Sequence, residues 1–596
     1  MPDSPNIKSG DPVTLKITSD GAEIADTIQV LSVRVRSGIN KIPFAEIAIV
    51  DGNMPKQTFS VSDGNTFKPG SEIAVSAGYA GQATTIFKGI VVRHGVDIGA
   101  GNFAQLTVES RDKAVAMTIG RKNANYIDST DSSVIQTLIG NYSGLSSDVG
   151  STNTQHKELV QHFCTDWDFL LSRAEVNGLL VIADQNKVTV KAPQTSGSAQ
   201  LKVIYGTDLM EFHADIDSRT QLGSVKSVTW DPKNQAIVEK EAKPQSLNQQ
   251  GNLDSATLAK VAGPASFRLQ TPAPMEQTEL AQWAESRQIK AGLARIRGRM
   301  KFPGNATAKA GGLIEVAGVG ERFNGTVFVS GVNHEIAEGD WTTEVEFGMS
   351  PDWFADQRDL VTPPASGLLP GIEGLHIGVV KKLNEDPEAE NKIQVSIPLL
   401  QAEKDGVWAR LANYYASDGF GEFFIPEIGD EVVLGYLNQD PSHPVILGSL
   451  YSSKRKPPYE LTAENYTKAI VTRSKLRVIF DDEKKIVTII TPASNKIVVN
   501  DDTKTILLQD ETGNKVQLSP DGILLDSPKD ITVNAKGKIA VSAVGEISIT
   551  AQADVKVAGL NVSNTAQVGF TAKGSATAEL SASGQTTVKG ALVMIN

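Results

Sequence analysis

Three side chains that could hold a metal fall close together in this 596-residue sequence: His156, His162 and Cys164. A zinc-type site wants four ligands in tetrahedral array. Placed on one helix, these three do not share a face, and no fourth ligand stands nearby. They read instead as structural histidines and a buried free thiol. Asp166 and Asp168 could imitate a catalytic carboxylate pair. Positions two apart on a helix diverge, so these read as solvated helix charges. Gly318-Val-Gly320 lacks the later glycine of a dinucleotide fingerprint, and the sequence holds no P-loop, HExxH or GxSxG motif. His334 and His443 lie in strand-like and turn-like segments and read as structural. The expectation is therefore no catalytic residue, no metal and no cofactor: a protein that is not an enzyme.

Composition narrows the class. Formal net charge is −12, which argues against a protein whose main work is gripping nucleic acid, because phosphate binding needs a surplus of Lys and Arg. The one cysteine, Cys164, cannot form an intrachain disulfide. The N-terminal Met1-Pro-Asp-Ser-Pro5 lacks the basic and apolar regions of a signal peptide. No run reaches the length of a membrane span. The expected place of synthesis is the bacterial cytoplasm, with release or delivery by a route other than general secretion. The 52 glycines, with recurrent Val, Thr and Ser, favour strands joined by turns.

The most informative segment begins at Ile531: ITVNAKGK, IAVSAVGE, ISITAQAD, VKVAGLNV. The first and third positions of this eight-residue unit are apolar: Ile531/Val533, Ile539/Val541, Ile547/Ile549 and Val555/Val557. Residues two apart on a strand share a face. The fifth position is small (Ala535, Ala543, Ala551, Gly559), which lets the chain turn. Such a unit is too short to bury its own face and must stack on neighbours. Looser pairs precede it at Ile497/Val499, Ile506/Leu508, Val516/Leu518 and Ile523/Leu525. The stripe is narrow and its side chains are small. Three chains wound about one axis would bury it; a single-chain β-solenoid is the alternative.

Other elements follow from pattern. Five short strands are predicted at Leu375–Val380, Lys392–Ile397, Val407–Leu411, Glu431–Tyr436 and Val445–Leu450, which suit a small OB-type barrel. Helices are predicted over Lys157–Val176 and Glu279–Met300. Two β lobes resemble each other: Gly70–Val75 with Phe87–Val91, and Gly312–Val316 with Phe323–Val327. The predicted fold class is mainly β: β-barrel hub lobes with a few helices, an OB-fold barrel, and a C-terminal trimeric intertwined β-helix needle. Its expected divisions are a hub at 1–360, an OB domain at 371–452, a neck at 453–485 and the needle at 486–596.

Phe420-Gly-Glu-Phe-Phe-Ile-Pro-Glu-Ile-Gly-Asp-Glu-Val-Val-Leu434, followed by Asp440-Pro-Ser-His-Pro-Val-Ile-Leu-Gly-Ser449, closely resembles the OB signature of VgrG-like spike proteins. These belong to type VI secretion, to phage-tail-like extracellular contractile injection systems and to contractile-phage hub–spike assemblies. Trp408-Ala-Arg410, Asp168–Gly178, Val332–Ile336 and Gly339–Thr343 fit the same family, so the resemblance spans nearly the whole chain. It implies a structural spike: a homotrimer capping a hexameric inner tube, ringed by baseplate proteins, with a PAAR-like tip protein and a membrane-puncturing needle that meets the target membrane on firing. The alternative is a phage-type β-helical tailspike that cleaves or binds glycans. Such an enzyme needs paired carboxylates in a groove, whereas Lys538, Glu546 and Asp554 stand singly at the turns. All seven histidines lie at or before His443, so the needle offers no imidazole for a metal-closed point. Leu592, Val593, Met594 and Ile595 are instead expected to seat the tip protein.

Overall fold

The computed structural model describes residues 3–5, 11–100, 103–243, 245, 247–357, 360–399 and 406–595. Met1, Pro2 and Asn596, at the two ends considered above, lie outside the described residues. The chain divides into two compact units, residues 1–450 and 451–596. As the sequence predicts, strands dominate and helices are few. Among the described residues no helix is long and apolar enough to cross a membrane.

The first unit is organised by one thirteen-stranded sheet. Strand Phe44–Val50 illustrates why it forms: Ala45, Ile47 and Ile49 are wholly buried while their neighbours are not, the period-two pattern of a half-buried strand. Two cores line this sheet. One gathers Ile47, Ile49, Phe67, Ile73, Val75, Phe87, Leu106 and Val108. The other gathers Val203, Met300, Phe302, Ile314, Val316, Val327 and Phe347. These are the two look-alike lobes. In the first, Glu72–Tyr79 pairs antiparallel with Gln82–Ile98; in the second, Leu313–Ala317 pairs antiparallel with Gly325–Ala337. Val30–Gly38 is hydrogen-bonded to Gly325–Ala337, so the sheet runs on from one lobe to the other.

Helix α1 spans Asp131–Gly140 and is opened by a capping box between Thr130 and Ser133. Helix α2 spans only Asp166–Val176, which corrects the predicted helix Lys157–Val176. Residues Gln155–Cys164 form a strand paired with Lys122–Thr130. Their apolar spacing fits either period. Distant pairing decides for the strand, and the Thr165 hydroxyl, accepting from the Asp168 amide at 3.0 Å, starts the helix. Helix α3 spans Ser255–Ala262 and α4 spans Gln277–Leu293. The predicted helix Glu279–Met300 thus ends early. Ile296–Pro303 is a strand flanked by Glu211–Ile216 and Asp340–Phe347. Its alternation buries Ile296, Met300 and Phe302.

Gly304 follows that strand, and a Cβ built there would lie 2.0 Å from the Trp341 ring. Gly304→Ala is expected to lower stability by about 1–3 kcal/mol, because the buried indole has to move aside. Denaturant unfolding measures this directly, and an unchanged midpoint would refute it.

Residues 376–449 form a closed five-stranded barrel from His376–Lys382, Ile393–Ser396, Val407–Leu411, Glu431–Tyr436 and Pro444–Ser449. All five strands stand where the sequence places them, to within two residues. Val380, Val395, Ala409, Val432, Leu434 and Ile446 are wholly buried in the barrel core.

The second unit begins with seven five-residue strands in simple meander order, from Thr467–Val471 to Gly522–Asp526. The first two stand within the stretch expected to be a neck. From 527 to 595 no strand or helix is assigned, yet the backbone keeps time. Bends begin at 528, 536, 544, 552, 560, 567, 575, 583 and 591. Successive bends are therefore eight residues apart, except for one seven-residue step between 560 and 567.

Candidate functional site: an uncovered apolar face

The residues first suspected of chemistry do not assemble into a site. His162 is exposed on its strand, while His156 is half-buried and turned to other partners. Cys164 is partly buried; burial, with Asp168 and Asp166 nearby, pushes its thiol above the ordinary range, the opposite of a reactive thiolate. Gly318 and Gly320 both have φ near +83° and turn the chain between two strands. His443 stands exposed, 3.2 Å from Asp440.

Asp166 and Asp168 are not the solvated pair expected. Asp166 is buried and accepts from Lys122 at 2.7 Å, the Tyr142 hydroxyl at 2.7 Å and Gln161 at 2.9 Å. Burial works to raise its pKa, but these donors prevail and hold the carboxyl below the ordinary range. Asp168 accepts from the Thr165 hydroxyl at 2.6 Å, within the cap of α2.

A larger buried cluster escaped sequence reasoning. Arg173 on α2 donates to both oxygens of Asp131 at the start of α1, at 2.6 and 3.1 Å. It also donates to Glu279 on α4 at 3.0 Å. His156 bonds Asp131 at 2.9 Å and the Asn177 amide donates to it at 2.8 Å. Burial opposes ionisation of Asp131, yet Arg173, His156 and Asn177 hold its carboxyl below the ordinary range. Both oxygens of Asp131 are engaged, so this is a fastening between elements. No local signal marks it, because the partners lie far apart in sequence.

His334 is buried, with Nδ1 3.0 Å from the Thr343 hydroxyl and its ring 5.8 Å from Trp341. Desolvation depresses its pKa to about 4. The sign follows: the folded state keeps the ring neutral, so its contribution is full above the unfolded value near 6.5 and is lost as pH falls toward 4. This loss amounts to about 3 kcal/mol. His334→Gln should therefore show a flatter decline of unfolding free energy between about pH 6.5 and 4 than the parent. Parallel declines would count against it.

The feature that remains is a surface. In the meander, cross-strand register aligns Ile470, Val478, Ile489, Ile497, Leu508, Val516 and Leu525 into one apolar ladder. Phe480, Val487, Val499, Ile506, Leu518 and Ile523 form a second ladder two residues away on the same face. Most of these side chains are exposed: Ile489 is 46% accessible, Leu508 43% and Ile523 75%. A groove of about 660 Å³ runs along the first ladder to Ile531. The stripe then continues through the octads, where Ile531, Val533, Ile547 and Ile549 are all exposed. A one-layer sheet with an open apolar face is unstable in water until something covers it. The OB barrel adds an exposed aromatic loop, with Tyr414 98% and Phe423 86% accessible.

Residues 376–451 match the type VI secretion system/phage-baseplate injector OB domain. The chain belongs to the family described as the Alg8 N-terminal domain, which matches residues 9–338. Among curated proteins it is similar to the type VI secretion system spike protein VgrG1a of Pseudomonas aeruginosa, 35% identical over 72 residues, 12% of this chain and 11% of that one. It is also similar to VgrG5 of the same organism, 30% identical over 115 residues, 18% of this chain and 14% of that one. The chain spans about a tenth of the length of the curated relatives it matches. Similar solved structures include an E. coli component of the type VI secretion system, 11% identical with a TM-score of 0.36, covering 73% of this chain and all of that one. A tail protein from Neisseria meningitidis is 12% identical with a TM-score of 0.42, covering 58% and 99%.

Proposed function

We propose that this chain is the structural spike of a contractile injection machine. It acts as a homotrimer whose C-terminal segments wind into a membrane-puncturing needle and whose hub joins the needle to a hexameric inner tube. The observation that carries this reading is the uncovered apolar face: two ladders on one side of the meander, continued by the octad stripe. Three copies placed face to face would bury all of it on a common axis. Backbone groups in residues 527–595, which form no ladder within the chain, would then find partners on neighbouring copies. The matched OB family and the spike proteins it resembles point the same way.

In this reading the work is mechanical. Contraction drives tube and spike forward, and a stiff needle concentrates force on a small area of membrane. Baseplate proteins surround the hub and a PAAR-like protein seats on the apolar end. The chain itself is not an enzyme and needs no cofactor. Light scattering on the full-length protein tests the central claim: a trimer is expected, and a stable monomer at micromolar concentration would overturn it.

A further inference from the structure

Between α3 and α4 the hub forms a half-open cavity of about 1090 Å³, whose rim also carries Glu241 and Asp254. Its walls are rich in amides: Asn248, Gln250 and Gln288 face it together with Arg295. Arg295 is only 7% exposed, and among the described residues it forms no salt bridge. Its Nη2 donates to the carbonyls of Asn248 at 3.3 Å and Gln250 at 3.0 Å. Its Nε is enclosed with no acceptor, as is the Gln250 Nε2, while the Gln288 Oε1 is enclosed with no donor. Nη1 donates to none of the described residues.

The wall is built, not loose. Thr326 donates its amide to the Gln249 carbonyl at 2.7 Å, Gly251 donates to Asn324 at 2.7 Å, and the Asn248 side chain donates to Thr326 at 2.6 Å. Gly251 stands at φ +66° with its missing Cβ 2.3 Å from the Arg322 carbonyl, so the chain passes too close there for any side chain. Arg295 itself is fixed at both ends, its amide donating to Gly292 and its carbonyl accepting from Asp217.

A buried guanidinium without an anion is costly. Both Nη2 protons are spent on the two carbonyls, which leaves Nη1 to make a charge-assisted bond to one carboxylate oxygen. The nearest acidic group that influences it, Asp254, spends an oxygen on the Thr257 amide as the cap of α3. We propose that this cavity binds a carboxylate group, held by Nη1 of Arg295 at its inner end and by the side-chain amide nitrogen of Gln250 beside it. The carboxylate comes either from a free small acid or from an acidic side chain of a polypeptide segment. The inference is independent of the spike reading, since it concerns only residues 222–295 and needs no trimer.

Calorimetric titration of the full-length protein tests it with two probes: N-acetylglutamate α-methylamide, and the capped peptide Ac-Gly-Ser-Glu-Ser-Gly-NH2 beside its Gln analogue. Saturable binding of either glutamate probe is expected, with the Gln analogue silent. Binding of the small acid alone assigns the site to a free ligand, and tighter binding of the peptide assigns it to a protein segment. Arg295→Gln should weaken binding at least about tenfold, as loss of a charge-assisted pair does. Gln250→Leu, which keeps the backbone carbonyl that Arg295 clasps, should weaken it too. Failure of both probes to bind saturably, or binding indifferent to both substitutions, overturns the proposal.

Discussion

Ile547→Asp is expected to leave the protein unable to form the proposed trimer, while Glu546→Ala assembles as the parent does. Ile547 holds the first position of an octad and is 51% exposed in the single chain; Glu546 is the residue just before it, at the turn. In the proposed needle the first and third positions face the axis. One substitution then brings three carboxylates together in a space meant for hydrocarbon. Each costs several kcal/mol to desolvate, and like charges repel rather than compensate. Glu546 points to solvent at the turn, where losing a charge changes stability by no more than about 0.5 kcal/mol. Light scattering of the two variants against the parent gives the answer, and equal trimer yields would sink the axial placement.

The second large effect belongs to the hub. Asp131→Ala should lower the unfolding free energy by about 3–5 kcal/mol, because it leaves the buried Arg173 guanidinium with Glu279 alone and strips His156 and Asn177 of their acceptor. Asp131 is 1% exposed, so water cannot substitute for the lost carboxylate. The cluster fastens α1, α2, α4 and the strand carrying His156, which makes loosening local to this corner before it is global. Denaturant titration gives the magnitude, and hydrogen exchange over 131–177 gives the location. A loss below about 1 kcal/mol would mean that the cluster is no better than a surface ion pair.

Much of this architecture could be read from residues alone, and the failures have physical causes. The OB strands were legible because short alternating runs sit between Gly- and Pro-marked turns, as at Ile428-Gly-Asp430 and Asp440-Pro441. Gln155–Cys164 was not, because Leu159, Val160 and Phe163 fit a helical period equally well and only the distant strand Lys122–Thr130 decides between them. The octad rhythm was clear through Val557 and then faded: at the third positions Asn564 is polar and Ala572 small where a larger apolar side chain is expected, although the bends continue to 591. The Asp131–Arg173–Glu279 cluster left no trace, since each member is an ordinary polar residue on its own helix.

The single seven-residue step in the eight-residue beat, between the bends at 560 and 567, has a consequence for how copies find one another. A perfectly uniform repeat is a ruler without numerals: two strands could slide by eight residues and every apolar contact would re-form. One missing residue breaks that degeneracy. Because strand side chains alternate faces, a chain displaced by a whole octad has its short step opposite a partner's long one, and between the two steps its inward residues point outward. In the proposed trimer only the unshifted alignment would place all three irregularities at the same height. The step would then act as a keying notch, and closing it by inserting one residue after Asn561 is expected to yield needles of ragged rather than common length.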